Sequence, residues 1–140
     1  MTPRQIELVQ SSLPAILAIR EKAAGLFYER LFAIDPTTRP LFAGADMREQ
    51  GVKLIGAIAM IVGALSRLDT ISRDVRKLAH RHQGYGVEPH HYDSVGAALL
   101  WTLAQGLGSA FTPELRDAWA AAYAILSDAM QQPHDATLAA

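Results

Sequence analysis

The chain of 140 residues is 50% hydrophobic and 19% charged, with a formal net charge of −1. That balance fits one soluble globular domain and gives neither nucleic acid nor an anionic membrane an electrostatic reason to bind. There is no cysteine, which excludes disulfides, thiolate metal sites and thiol nucleophiles and fits a reducing compartment such as the cytoplasm.

The amino terminus, Met1-Thr2-Pro3-Arg4-Gln5-Ile6-Glu7, carries charges where a signal peptide needs an apolar core. Thr2, Pro3 and Gln5 spell a capping box, and Ile6, Val9, Leu13, Ile16 and Leu17 follow at helical spacing, with a kink expected at Pro14. A second helix is predicted from about Arg20 to Ala33, with Ala24, Phe27, Tyr28 and Leu31 on its inner face. Asp35-Pro36 caps a short helical piece that Pro40-Leu41-Phe42 closes.

Asp46 and Glu49 open a long helix in which Gln50, Leu54, Ala57 and Ile61 share one face and Ile58, Val62 and Leu65 widen it. Its most apolar run, 54–65, is well short of the roughly twenty residues that span a bilayer, so no stable membrane insertion is expected. Gly51, Gly56 and Gly63 would let a neighbouring helix or a flat ligand approach the backbone. Thr70 is the expected cap of the next helix, where Val75, Leu78 and His82 fall at i, i+3 and i+7 and turn one imidazole inward. Gly84 and Gly86 release that helix, and Pro89 starts another that runs to about Gly108. Tyr92 opens the inner face of this helix, with Val95, Leu99, Leu100 and Leu103 after it, and its hydroxyl is placed to reach back toward the His82 ring.

Thr112-Pro113-Glu114 begins the last helix, through Leu115, Trp119, Tyr123, Leu126 and Met130 until Pro133. No alternating strand or internal repeat interrupts this pattern. The sequence predicts an all-α domain of about seven helices over 1–132 and a polar C-terminal tail over 133–140.

Among the five histidines, His80 and His82 do not share a helix face, so they make a poor zinc pair. The glycine pairs follow helices and complete no nucleotide fingerprint. Taken singly, His82 and Tyr28 read as core residues with satisfied polar atoms, Phe42 as a plug and Gln50 as the margin of an amphipathic helix. Together they describe a slot, with one wall offering a nitrogen ligand and the other hydrogen-bond donors. Haem fits such a slot: a flat ring needs apolar walls, its iron takes one axial imidazole, and a gas bound opposite is held by donors.

The run from Ala79 to Leu100, with His82-Gln83-Gly84-Tyr85-Gly86-Val87-Glu88-Pro89-His90-His91-Tyr92 at its centre, resembles the proximal segment of bacterial haemoglobins of the flavohaemoglobin and Vitreoscilla-type lineage. Leu26-Phe27-Tyr28-Glu29-Arg30-Leu31-Phe32, Pro36 to Phe42, and Asp117 to Leu126 resemble the family at the same relative places. The resemblance implies a globin fold sandwiching haem b, with His82 as the iron's ligand and Tyr92 as its partner. It further implies that Phe42 packs on the haem, that Tyr28 and Gln50 face the bound gas, and that Leu54 crowds it. Ile58, Ile61, Leu78, Val87 and Val95 would line the rest of the pocket.

The implied activity is reversible binding of oxygen, and of carbon monoxide or nitric oxide, at a penta-coordinate iron, in a monomer or weak homodimer. Nitric oxide dioxygenation would need a separate reductase, because the family's flavin and nicotinamide domains are not in this sequence. The family's late carboxylate is replaced here by Pro133 and His134, which implies a weak electron push through His82. Two alternatives stand beside this: a haem-based redox or gas sensor with a six-coordinate resting state, and a cofactor-free globin-like interaction domain.

Overall fold

A computed structural model describes residues 1–131 of the chain. Six α-helices follow one another as α1 (Pro3–Ala18), α2 (Arg20–Ile34), α3 (Met47–Gly63), α4 (Ser72–Gly84), α5 (Pro89–Leu107) and α6 (Pro113–Gln131). The 3-10 helix Pro36–Phe42 supplies the seventh expected element, and single 3-10 turns at Leu68–Ile71 and Gly108–Ala110 complete the chain. Pro133, the tail at 133–140 and the region of His134 lie outside the described residues.

The helix starts follow the local chemistry. Thr2 accepts from the Gln5 backbone N–H at 3.1 Å, while the Gln5 side chain accepts from the Thr2 N–H at 3.0 Å, so both halves of the capping box form. Asp46 accepts from Arg48 and Glu49 N–H at the start of α3. Thr70 departs from expectation. It sits inside the turn Leu68–Ile71 and donates to the Arg67 carbonyl, and Ile71 occupies the N-cap of α4 with no side-chain hydrogen bond.

The principal core joins α1, α3, α5 and α6 through Val9, Ile16, Ile61, Val62, Leu65, Leu103, Leu115 and Trp119. Burying each large apolar side chain there contributes on the order of 1.5–3 kcal/mol. The Trp119 indole N–H donates to Ser12 Oγ at 3.0 Å, fixing α6 on α1. Two smaller apolar clusters lie beside this core. One gathers Phe27, Leu31 and Ala98 with Tyr28, Phe42, Leu54, Val95 and Leu99, and the other gathers Val75, Ala79, Tyr92 and Met130 with Leu78 and Val87. Seven of the eleven residues expected at the site belong to one of these two, while Ile58 and Ile61 belong to the principal core.

Of the three α3 glycines, only Gly51 serves a close approach. A Cβ there would stand 2.9 Å from the Ala24 Cβ, whereas a Cβ at Gly56 or Gly63 would meet nothing within 4 Å. The absent side chain at residue 51 is what lets α3 cross tightly over α2.

Candidate functional site

His82 lies near the end of α4, half-buried, one turn after Leu78. Its Nδ1 is 2.8 Å from the Leu78 carbonyl oxygen. A carbonyl only accepts, so the proton resides on Nδ1 and the lone pair on Nε2. Nε2 has no hydrogen-bond partner among the described residues. Burial pushes the imidazole pKa down, and the Arg81 guanidinium adds to this against the opposing Leu78 carbonyl, so the ring stays neutral, the form that ligates metals.

On α2, Tyr28 sets its ring edge-on to Phe27 at 5.0 Å and to Phe42 at 5.3 Å between centroids. Its hydroxyl donates to the Gln50 main-chain oxygen at 3.3 Å, a long bond for O–H···O. The tight crossing at Gly51 is what brings that carbonyl within reach. Burial pushes the phenol up to about 12, so Tyr28 is a permanent donor near neutral pH. The Gln50 side-chain amide makes no hydrogen bond among the described residues.

Tyr28, Phe42, Gln50, Leu54, Ile58, Leu78, His82, Val87 and Val95 are all half-buried. Six of these, Phe42, Leu54, Ile58, Leu78, Val87 and Val95, are apolar side chains that keep part of their surface accessible, surface that an apolar group can cover. Leu54 and Ile58 also border an apolar cavity of about 20 Å³ shared with Phe27 and Leu99, room for one small molecule. A flat apolar group with an iron at its centre fits this chain on two counts: the lining, and the uncommitted Nε2 of a neutral imidazole.

Two expected residues are placed otherwise. Tyr92 is buried with Val75, Ala79 and Met130, and no hydrogen bond joins it to His82, whose Nδ1 is taken by Leu78. The reason is local: a backbone carbonyl one turn back is already in line with the ring, and α6 holds Tyr92 from behind, where the Tyr123 hydroxyl donates to the Tyr92 carbonyl. Ile61, expected on the pocket wall, is 7% exposed in the principal core with Val9, Ile16 and Trp119. It lies two turns beyond Leu54, past the pocket and under α1.

Several contributors escaped the sequence reading. Phe32 packs on both Tyr28 and Phe42, with centroids 6.1 and 5.6 Å away, and its signal was the i+4 spacing from Tyr28. Behind them, Asp35 ties the end of α2 to the start of α5. It accepts from Ser94 Oγ at 2.6 Å and from the Thr37 hydroxyl and backbone N–H. The Ser94 and Thr37 bonds hold its carboxyl below the usual carboxylate range.

Asp35, His90 and His91 bring three potential metal ligands together, yet His91 is already committed. Its Nδ1 accepts from the Glu88 backbone N–H at 2.9 Å, which places the ring proton on Nε2, facing Thr37 Oγ1 at 3.2 Å. A ring in that tautomer has no lone pair for a metal at Nε2. The cluster is a hydrogen-bonded joint.

The comparisons with known proteins bear on the family and the fold. The globin family profile matches residues 25–130. A flavohemoprotein from Deinococcus radiodurans is 34% identical over 93% of this chain and 33% of its own length, and one from Bacillus subtilis is 31% identical over 90% of this chain and 32% of its own. The chain thus spans about a third of the length of these curated relatives. A bacterial globin from Campylobacter jejuni superposes with a TM-score of 0.80 at 28% identity, covering 91% of each chain. An engineered carbene transferase from Rhodothermus marinus shares the fold at a TM-score of 0.85 and 24% identity, over 99% of this chain and 94% of its own. With a profile match over most of its length, the chain belongs to the globin family.

Proposed function

We propose that this globin holds haem b through His82 and reversibly binds oxygen, with carbon monoxide and nitric oxide as further ligands of the same five-coordinate iron, in the cytoplasm. The observation that carries the reading is the Nε2 lone pair of His82, which has no hydrogen-bond partner among the described residues on a half-buried ring. Haem supplies, when bound, an iron that takes up diatomic gases and exchanges electrons.

The chain's own residues do the rest. Phe42, Leu54, Ile58, Leu78, Val87 and Val95 exclude water from the flat faces. Tyr28, protonated at physiological pH, donates a hydrogen bond to a ligand that has become partly anionic, and the Gln50 amide is a second donor. Leu54 limits the size of what enters. Tyr92 steadies α4 by packing against Val75 and Ala79 and does not hydrogen-bond the ligating ring. With haem bound, the same site would support nitric oxide dioxygenation, in which nitric oxide, oxygen and one electron supplied by a reductase give nitrate.

The deciding experiment is the visible spectrum of the purified protein, reduced under nitrogen and then exposed to air, for the natural chain and for His82→Ala. A five-coordinate ferrous spectrum that converts to a stable oxygenated one, and is lost in the variant, is the expected result. Absence of a haem band after hemin is added would end the reading.

A further inference from the structure

The charge of this chain is unevenly placed. Segment 67–84 holds Arg67, Arg73, Arg76, Lys77 and Arg81 against only Asp69 and Asp74, an island of net +3 in a chain of net −1. On α4 the positions 73, 76, 77, 80 and 81 repeat at i, i+3, i+4, i+7 and i+8, which is one helical face. Arg73, Arg76, Lys77, His80 and Arg81 are all exposed. Among the described residues none of them enters an ion pair, while Arg4, Arg48 and His90 do. Val75 and Ala79 on the opposite face are buried against Tyr92 and Met130, so the basic face is turned outward by packing.

We propose that this face of α4 docks an acidic electron-carrier protein, a partner that rests on the haem reading above. Four exposed arginine or lysine side chains on one helical face attract an acidic surface, steering encounter and setting orientation. The location gives the contact its purpose. The same helix carries His82, so a protein seated on α4 stands one helix width, about 10 Å, from the imidazole. Tyr85, 65% exposed, extends the surface past the helix end, with its ring centroid 6.5 Å from that of His82. With haem bound through His82, the carrier docked on this face would deliver one electron to the site, with no proton or atom transferred.

Other anionic partners fit less well. A helix that lies on a membrane pairs its basic face with large apolar side chains free to insert, and α4 exposes none. Nucleic-acid binding calls for a domain of high pI, and this one has a sequence pI of about 6.5.

The test uses the full chain loaded with haem, its oxygen spectrum recorded first, and a flavodoxin as the acidic carrier. Binding is followed by titration calorimetry at low and at about 0.3 M salt, where the Debye length has fallen to several ångströms. The expected result is a complex at low salt that weakens at least tenfold at high salt. Affinity should fall at least tenfold in Arg73→Glu/Arg76→Glu/Lys77→Glu, fall less in the corresponding glutamine triple variant, and change less than twofold in Arg20→Glu/Lys22→Glu on α2. The rate at which reduced flavodoxin reduces the ferric protein should fall in parallel with affinity.

A normal oxygen spectrum with no flavodoxin binding, or binding indifferent to the triple reversal, overturns the docking face and leaves the haem reading intact. A chain that takes up no haem but binds flavodoxin through these residues supports the face and ends the haem reading. Binding to phosphatidylserine vesicles in place of flavodoxin, lost in the triple variant, assigns the face to a membrane and overturns the proposal.

Discussion

His82 Nδ1 donates to the carbonyl of Leu78, one turn earlier on the same helix, at 2.8 Å. The bond needs no residue from another element, so α4 fixes the His82 tautomer, with its lone pair on Nε2, by its own geometry. Removing the ring while keeping the helix should therefore leave a cavity that free imidazole can fill. His82→Gly is expected to lose haem uptake and to regain it when millimolar imidazole is added, read from the absorption spectrum. A variant that keeps the natural spectrum without imidazole would show that another residue ligates the iron.

The Tyr28 hydroxyl has one hydrogen-bond partner among the described residues, the Gln50 carbonyl at 3.3 Å. A hydrogen bond to a partly charged acceptor contributes on the order of 1.5–3 kcal/mol. Tyr28→Phe should accordingly speed oxygen release about ten- to a hundredfold in stopped-flow measurements, with little change in haem uptake. Because burial raises the phenol to about 12, the natural protein's release rate should stay flat from pH 6 to 9. The same shift has a stability consequence. The folded chain keeps this proton above the unfolded value of about 10, so its contribution is complete below pH 10 and is lost as pH rises from there toward 12. Alkaline denaturation curves of Tyr28→Phe should lack that segment.

The difference between what was legible in the sequence and what was not follows the range of the interactions. Caps at Thr2, Asp35 and Asp46 and the break at Gly84 to Pro89 are set by neighbours within a few residues, and all are present, while His82, on the stripe of Val75 and Leu78, is half-buried. Thr70 misled because a short 3-10 turn before α4 uses its hydroxyl one step early. The destinations of Tyr92 and Ile61 depend on where α6 and α1 arrive, which helical periodicity does not encode. Gly51 carried the same ambiguity as Gly56 and Gly63 until Ala24 was seen beneath it. The Asp35 joint joins residues 59 positions apart, beyond any local pattern.

That joint makes its own prediction. Asp35 accepts from Ser94 and Thr37, and these bonds hold its folded pKa below the ordinary carboxylate value. A lowered acid contributes stability that is present above about pH 4, its unfolded value, and is lost as pH falls through the lower folded value. Asp35→Asn should therefore be less stable than the natural protein at pH 7 and should lose less further stability on acidification. Thermal melts between pH 2 and 7 would check this, and parallel curves for the two proteins would remove Asp35 as an acid-sensitive group.

Gly51 and Gly56 offer opposite outcomes from the same substitution. Both lie inside α3, where replacing glycine by alanine gains about 0.5–1 kcal/mol in helix propensity. At Gly56 the new methyl group meets nothing within 4 Å, so Gly56→Ala should raise the melting temperature by a few degrees. At Gly51 it stands 2.9 Å from the Ala24 Cβ, and Ala24 has no rotamer by which to yield. Relief requires α2 and α3 to part, at a cost of about 1–3 kcal/mol for overpacking, which exceeds the propensity gain. Parting the helices also draws the Gln50 carbonyl away from the Tyr28 hydroxyl. Gly51→Ala should thus melt several degrees lower and release oxygen at an altered rate, while Gly56→Ala keeps the natural rate. Equal melting temperatures for the two variants would mean that the α2–α3 crossing tolerates a methyl group, and that Gly51 does not set the position of Gln50.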